Sequence, residues 1–331
     1  MWMFRGGDMN AISKFMAAAT IGLTLCSAAA VAADFPGKPV RIIVPFAPGG
    51  GADLTTRIIA RHLGGQWSQP VIVENISGAG GNIGYEAAAR AQPDGSTLVI
   101  GTNAMTINVT LYKSVSYDPI KSFTPVTKTT EEPNILVVRN ELPARTVKEL
   151  IELARSSPGS LSYASGGNGT TSHLFAELMK GMAKVDMRHV PYKSPIPAMT
   201  DLMNGLTDIF FAGQGFGASN IKAGKMRALA ITSRSRSSVF PDIPTLSEAG
   251  LPGFDAIVWL GVLAPARTPQ DVVMKVHDGI VNSLRAPEVK GRLEELGFKV
   301  VGDTPEEFSA FVKAEVDKWG GVIRSGRIIL D

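Results

Sequence analysis

The residue types and spacings that could do chemistry in this chain fall in three glycine-rich turns: Pro45-Phe46-Ala47-Pro48-Gly49-Gly50-Gly51, Ser77-Gly78-Ala79-Gly80-Gly81-Asn82 and Ser165-Gly166-Gly167-Asn168-Gly169-Thr170. Each follows an apolar, strand-like run and precedes a helix-like pattern. Glycine lets the backbone turn tightly and approach a ligand, and the helix behind it aims unpaired N–H groups and a positive dipole end at whatever sits there. The chemistry implied is capture of an anion, a carboxylate or a phosphate. Three consecutive glycines cost more chain entropy than one capping residue would, which favours ligand contact over a simple helix start in the first turn.

The side chains around the turns admit two readings each. Asp53 either caps the first helix or meets a ligand ammonium. Asn75, with Gly78 and Ala79, is a candidate contact in the second turn, and Asn75 can equally brace it. Ser165 and Thr170 are ligand donors or caps, and His173 is a packed or capping histidine as readily as a ligand group. Tyr192 and Asp208 are placed facing a cleft. Lys193 offers a cation to an acidic ligand, or is only solvated. Phe210 and Phe211 read as core.

Patterns of catalysis fail. The glycines from Gly78 to Gly84 put the last one a residue too late for a dinucleotide fingerprint, and neither Gly37-Lys38 nor Gly224-Lys225 is followed by Ser or Thr as in a P-loop. The four histidines lack metal-ligand spacing and there is no Gly-x-Ser-x-Gly elbow. No catalytic unit, metal or cofactor is expected.

The turns must be positioned by the elements around them. Runs such as Val40-Phe46, Val71-Ile76, Thr97-Gly101, Leu161-Ala164, Arg188-Tyr192, Asp208-Ala212 and Ala228-Thr232 alternate with amphipathic stretches, for example Leu54, Ile58, Ile59 and Leu63 on one face. That rhythm predicts an α/β fold of mainly parallel sheets flanked by helices, with ligands at the carboxyl ends of strands. Phe123 to Asn134 and Phe254 to Leu263 read as crossover strands between two lobes. The tail from Thr268, closing with the amphipathic stretch Pro305 to Val322, is expected to pack back on the first lobe.

Arg5 and Lys14 precede an uncharged stretch, Phe15 to Ala33, ending in Val31-Ala32-Ala33, the pattern of a secretory signal over 1–33. Removing 33 of the 331 residues leaves 298 and takes away Cys26, the only cysteine, so neither a disulfide framework nor a thiol nucleophile remains. Either Met1 or Met9 can be the start. The leader carries Arg5, Lys14 and Asp8, so the formal charge drops from +3 to +2, too slight an excess for nucleic acid. Lobe 1 is assigned to 34–128 plus 260–331, and lobe 2 to 129–259.

Together these segments resemble the periplasmic solute receptors of the tripartite tricarboxylate transporter family, also called Bug receptors. The resemblance rests on Val44-Pro45-Phe46 with Pro48-Gly49-Gly50, Glu74-Asn75 with Gly78-Ala79-Gly80-Gly81-Asn82-Ile83-Gly84, and Pro93-Asp94-Gly95. It continues through Ser165, Gly167, Gly169-Thr170 and His173, His189-Val190-Pro191-Tyr192-Lys193, and Thr304-Pro305-Glu306-Glu307-Phe308. It implies a two-lobed, type II-like binding protein, not an enzyme, that closes on a carboxylate-bearing solute and delivers it to integral membrane transporter subunits. It also implies that the carboxylate is held by backbone N–H groups and ordered water at Phe46, Ala47, Gly49, Gly50, Ser165, Gly167 and Thr170. The distal end of the solute should meet Thr102, Asn103, Gln214 and Asp208. Where relatives usually carry glycine after the lysine of the His-Val-Pro-Tyr-Lys segment, this chain has Ser194-Pro195-Ile196. A periplasmic monomer is expected. Two other readings stay open: an exported sensor subunit that presents its ligand-bound form to a membrane signalling protein, and an exported hydrolase using Ser165 or Ser172 with His173.

Overall fold

The computed structural model describes residues 1–3 and 35–328; the apolar stretch of the expected leader and its cleavage site lie outside the described residues. The first lobe begins with β1 (Val40–Val44), α1 (Gly51–Trp67), β2 (Val71–Asn75), α2 (Asn82–Ala89), β3 (Thr97–Thr102) and α3 (Asn103–Leu111). A 16-residue strand, β4 (Phe123–Val138), then carries the chain into the second lobe. There follow α4 (Val147–Ser156), β5 (Ser162–Ser165), α5 (Thr171–Ala183), β6 (Arg188–Pro191), α6 (Pro195–Met203), β7 (Ile209–Gly213), α7 (Gln214–Lys222) and β8 (Arg227–Ile231). The chain returns through β9 (Ile257–Pro265) and ends with α8 (Gln270–Arg285), α9 (Pro287–Glu295), β10 (Lys299–Val300) and α10 (Pro305–Gly326).

Hydrogen-bonded neighbours give the order β2-β1-β3-β9-β4 in the first lobe and β6-β5-β7-β4-β8 in the second, so one arrangement is used twice with β4 in both. Parallel ladders join β2, β1 and β3, and join β6, β5 and β7; pairing becomes antiparallel only where β9 and β4 enter. The short β10 on the flank of β4 is too brief to be read from its sequence.

Direction follows from these pairings. β3 opposes β9 and β9 opposes β4, so β1 and β3 run with β4, toward the second lobe. β7 opposes β4, so β5 and β7 run back toward the first. The carboxyl ends of the parallel strands are therefore aimed at one another. Thr102, the end of β3, lies level with Leu260 and through it with Thr130 of β4, whereas Gly213, the end of β7, lies level with Asn134. Four residues of strand separate the two levels, about 13 Å at a rise of about 3.3 Å per residue.

Period-2 alternation supplies both faces of each sheet. In β1, Ile42 and Val44 pack with Ile59, Leu63, Val276 and Ile280, while Ile43 joins Val99, Trp259 and Phe308 on the other face. In β7, Phe211 packs with Phe175 and Leu136, and Phe210 with Met199 and Ile135. The tail spans both lobes rather than the first alone: Phe308 and Val312 of α10 sit in the first lobe's core, and Trp319 and Ile323 in the second's, where Trp319 stacks on Phe175 at 5.5 Å. At the midpoint of α10 the buried Glu315 accepts from Trp319 Nε1 at 2.8 Å and Trp259 Nε1 at 3.2 Å and pairs with Lys318. A capping box of Thr304 and Glu307 starts this helix, with Pro305 in its first turn. Trp319→Ala removes a fully buried ring and one of the Glu315 donors, and should cost about 3–5 kcal/mol in urea unfolding; a change below 1 kcal/mol would mean that α10 does not hold the lobes.

Candidate functional site

The first turn projects from the end of β1, and α1 starts behind it at Gly50 with no side chain capping its N-terminus. The first N–H groups of such a helix have no intrahelical partner. Residues Ala47 to Gly51 are exposed. Gly49 takes φ +87°, a left-handed conformation that a side chain would strain, whereas Gly50 at φ −78° does not.

Beneath the turn lies a braced carboxylate. Asp53, 2% exposed, accepts from Gly49 N at 2.9 Å, from Arg57 Nε at 3.1 Å and from Asn75 Nδ2 at 2.9 Å. Asn75 Nδ2 also donates to the Phe46 carbonyl at 3.0 Å, and its Oδ1 accepts from Arg57 at 2.9 Å. Burial alone would raise the Asp53 carboxyl, but hydrogen bonds from Arg57, Gly49 and Asn75 outweigh it and hold it below the ordinary value. Asp53 and Asn75 are thus turn braces, the second of the two readings open to Asn75, and the Gly49 N–H points inward to Asp53.

In the second turn Gly78, Ala79, Gly80 and Gly81 all have positive φ. Gly81 lies against the Phe46 ring, and Asn108 of α3 donates to the Gly80 carbonyl at 3.0 Å, so this turn buttresses the first. The third turn leaves β5 and leads into α5, whose N-cap Thr170 again makes no side-chain cap. Here too the side chains serve the turn. Ser165, fully buried, accepts from Gly167 N at 3.1 Å and lies 2.6 Å from His189 Nε2; Thr170 Oγ1 donates to the Gly167 carbonyl at 2.7 Å. Ser172 Oγ accepts from Gly166 N, and His173 Nδ1 from Gly169 N, both at 3.0 Å. Across the lobes, Gly169 sits against Leu111 of α3 where a Cβ would clash.

Several expected positions need correction. Asp208 precedes β7, at the opposite end of the sheet from the turns; it accepts from Ser162 N and Oγ at 2.8 Å each and pairs with Arg139. Asn103 is 2% exposed and spent on the Ile257 carbonyl, the Trp259 N–H and Glu315. Thr102 caps α3 through Ala104 N at 3.2 Å and meets Tyr85. The Tyr192 hydroxyl donates to Asp201 at 2.6 Å. Gln214 is buried, its Oε1 has no partner among the described residues, and it lines a cavity of about 330 Å³ beside Glu131 and Ile257. The Ser172–His173 pair does not form, since each side chain holds a different backbone N–H. Ser165 does meet a histidine, His189, which the sequence reading missed; the serine is shut from solvent and no carboxylate among the described residues bonds the far nitrogen of that ring.

Sequence reasoning also missed Glu132. It lies on β4 between the two strand-end levels, opposite Val258 of β9, and its Oε1 accepts from Gly215 N at 2.8 Å. Burial, only partly offset by that N–H, pushes its carboxyl up to about 7. Its neighbour Glu131, on the other face of the strand, pairs with Lys128 and Lys299.

Comparison with known proteins fits this geometry. The family model described as the tripartite tricarboxylate transporter family receptor matches residues 55–327. The chain belongs to that family. A protein from the tcbD-tcbE intergenic region of Pseudomonas sp. strain P51 is 37% identical over 317 residues, 95% of this chain and 94% of its own. Among solved structures, Rpa4515 of R. palustris with adipate has a TM-score of 0.75 at 34% identity, covering 90% of this chain and all of that one. MatC of Rhodopseudomonas palustris with bound malate has a TM-score of 0.72 at 33% identity, covering 87% of this chain and all of that one. No helix among the described residues of this receptor is long and apolar enough to cross a membrane.

The rings of His173 and His189 stack at 3.9 Å under the third turn, and burial first, then nearby positive charge, brings each down to about 4. In the unfolded chain both titrate near 6.5. As pH falls from about 6.5 to 4, the unfolded state gains protons that the folded state refuses, so stability falls across that window and levels below it. The excess stability of the wild type over His189→Phe should therefore shrink as urea midpoints are compared from pH 7 down to pH 4; a constant difference would refute the neutral stack.

Proposed function

We propose that the chain is a periplasmic solute receptor, acting as a monomer, that captures a small carboxylate between its lobes and delivers it to the membrane subunits of a tripartite transporter. The observation that carries this reading is the opposition of the two sets of strand ends across β4, each with an uncapped helix start behind a glycine turn. Two such starts offer backbone N–H groups and positive dipole ends to one anion without any charged side chain in contact with it. The carboxylate is held at Phe46, Ala47 and Gly50 on one side and, since the Gly167 and Thr170 N–H groups are engaged within the third turn, at the first N–H groups of α5, Thr171 and Ser172, on the other, by main chain and ordered water. Relatives solved with adipate and with malate support a carboxylate as the common element.

A ligand touching both lobes stabilises the shut arrangement because those contacts exist only there, and the membrane subunits then read the closed shape. This is binding without turnover.

Titration with a panel of organic acids should raise the melting temperature of the purified protein for one or a few of them, with about 2.7 kcal/mol of added stability at a hundredfold excess over Kd. Gly50→Val should abolish that response with the fold retained. Gly50 has an ordinary φ, and the only atom near an added Cβ is the Ala47 carbonyl oxygen at 3.9 Å, so the isopropyl group fits but fills the approach to the turn. Full ligand response in this variant would remove the first turn from the site.

A further inference from the structure

Along β4, between the two levels of strand ends, lie hydrogen-bond acceptors that are only partly satisfied among the described residues. Glu132 lies there with no cationic partner among the described residues, and only its Oε1 is engaged, by Gly215 N. One residue pair further along β4, Asn134 is 3% exposed. Its Nδ2 donates to the Phe211 carbonyl at 3.1 Å, which fixes the orientation of the amide and leaves Oδ1 a buried acceptor without a partner among the described residues. Both residues line one cavity of about 270 Å³, together with Thr171 and Ser172 at the start of α5, Pro195 and Phe216.

An unpaired carboxylate and an orphaned amide oxygen are costly to bury. The cost is recovered if a ligand brings N–H donors. Burial leaves Glu132 divided between its neutral and charged forms near neutral pH; a plain dicarboxylate can meet only the neutral form, because the backbone offers a single N–H and the cations nearby are engaged by Glu131 on the opposite face, whereas a cationic nitrogen draws the carboxyl into its charged form. A solute carrying both an anion and a donor suits the residues that line this cavity, with the start of α5 at Thr171 and Ser172 on one side and the acceptors of β4 on the other.

We infer that the solute of this receptor bears an ammonium or primary amide alongside its carboxylate, and that Glu132 and Asn134 Oδ1 receive that nitrogen and set the specificity. The inference rests on the receptor reading above and narrows its ligand class to amino acids, amino-terminated acids and their amides. Glu132 also caps α7 through Gly215, so a merely structural role has to be separated from recognition. Glu132→Gln does so, because the amide oxygen still accepts from Gly215 while the charge is gone.

The test is calorimetric titration of the wild type and Glu132→Gln with matched pairs: L-aspartate against succinate, L-glutamate against glutarate, 6-aminohexanoate against adipate. In at least one pair the nitrogen-bearing member should bind the wild type tenfold or more tightly than its partner, and Glu132→Gln should erase the preference while keeping its melting temperature. If the plain diacids bind as well or better and Glu132→Gln leaves their affinity unchanged or improved, the inference is overturned while the receptor stands. If neither member of any pair binds and a wider panel of organic acids also fails, the receptor reading falls and the inference with it. The wild-type series decides the first two cases alone should the variant fold poorly.

Discussion

The direction of β4 is the constraint on which the rest depends. One strand serves both sheets, running with β1 and β3 in the first lobe and against β5 and β7 in the second. Parallel strands followed by helices place their carboxyl ends, and the helix starts beyond them, on the same edge of a sheet. Because β4 reverses its relation to the parallel set between the two sheets, those edges are turned toward each other across a few residues of its own length. Two helix starts behind glycine turns, one in each lobe, are thereby brought to face one another.

Polar side chains near the turns are spent on the turns. Asp53, Asn75, Ser165, Thr170, Ser172 and His173 each bond backbone within or beside a glycine segment. Backbone at positive φ, as at Gly49 and Gly167, has little local preference to hold it in one arrangement, and the bracing bonds supply it. Asp53, Ser165, Ser172 and His173 are buried as well, and little net charge remains beside the turns: Asp53 is matched by Arg57, and the stacked histidines are neutral at ordinary pH. What the turns leave uncommitted is main chain at the helix starts.

Between the two levels of strand ends, β4 itself presents side chains to the space the lobes enclose. Successive residues of a strand point to opposite faces, so Glu131 and Glu132 meet different worlds: one is enclosed by Lys128 and Lys299, the other faces a cavity with a backbone N–H alone.

Most of the fold was legible in the chain, since nine of its strands announce themselves as short β-branched or apolar runs, and Thr-Pro-Glu-Glu before an amphipathic stretch marks the start of α10. The glycine turns were legible too, because glycine clusters ahead of a helical pattern have few uses other than close backbone approach. Local sequence could not say which way a side chain beside a turn would face: Asn103 and Asp208 read as candidates for the distal pocket, yet the first is consumed by β9 and α10 and the second lies at the far end of its sheet. Glu132 went unseen for the converse reason, since in the string it is one acid of a pair before a proline. What the sequence determined by itself is local: strand, glycine turn, helix start. Tertiary structure alone decided which buried polar groups find partners, because those partners come from strands and helices as far as 212 residues away, brought level by pairing that no local pattern encodes.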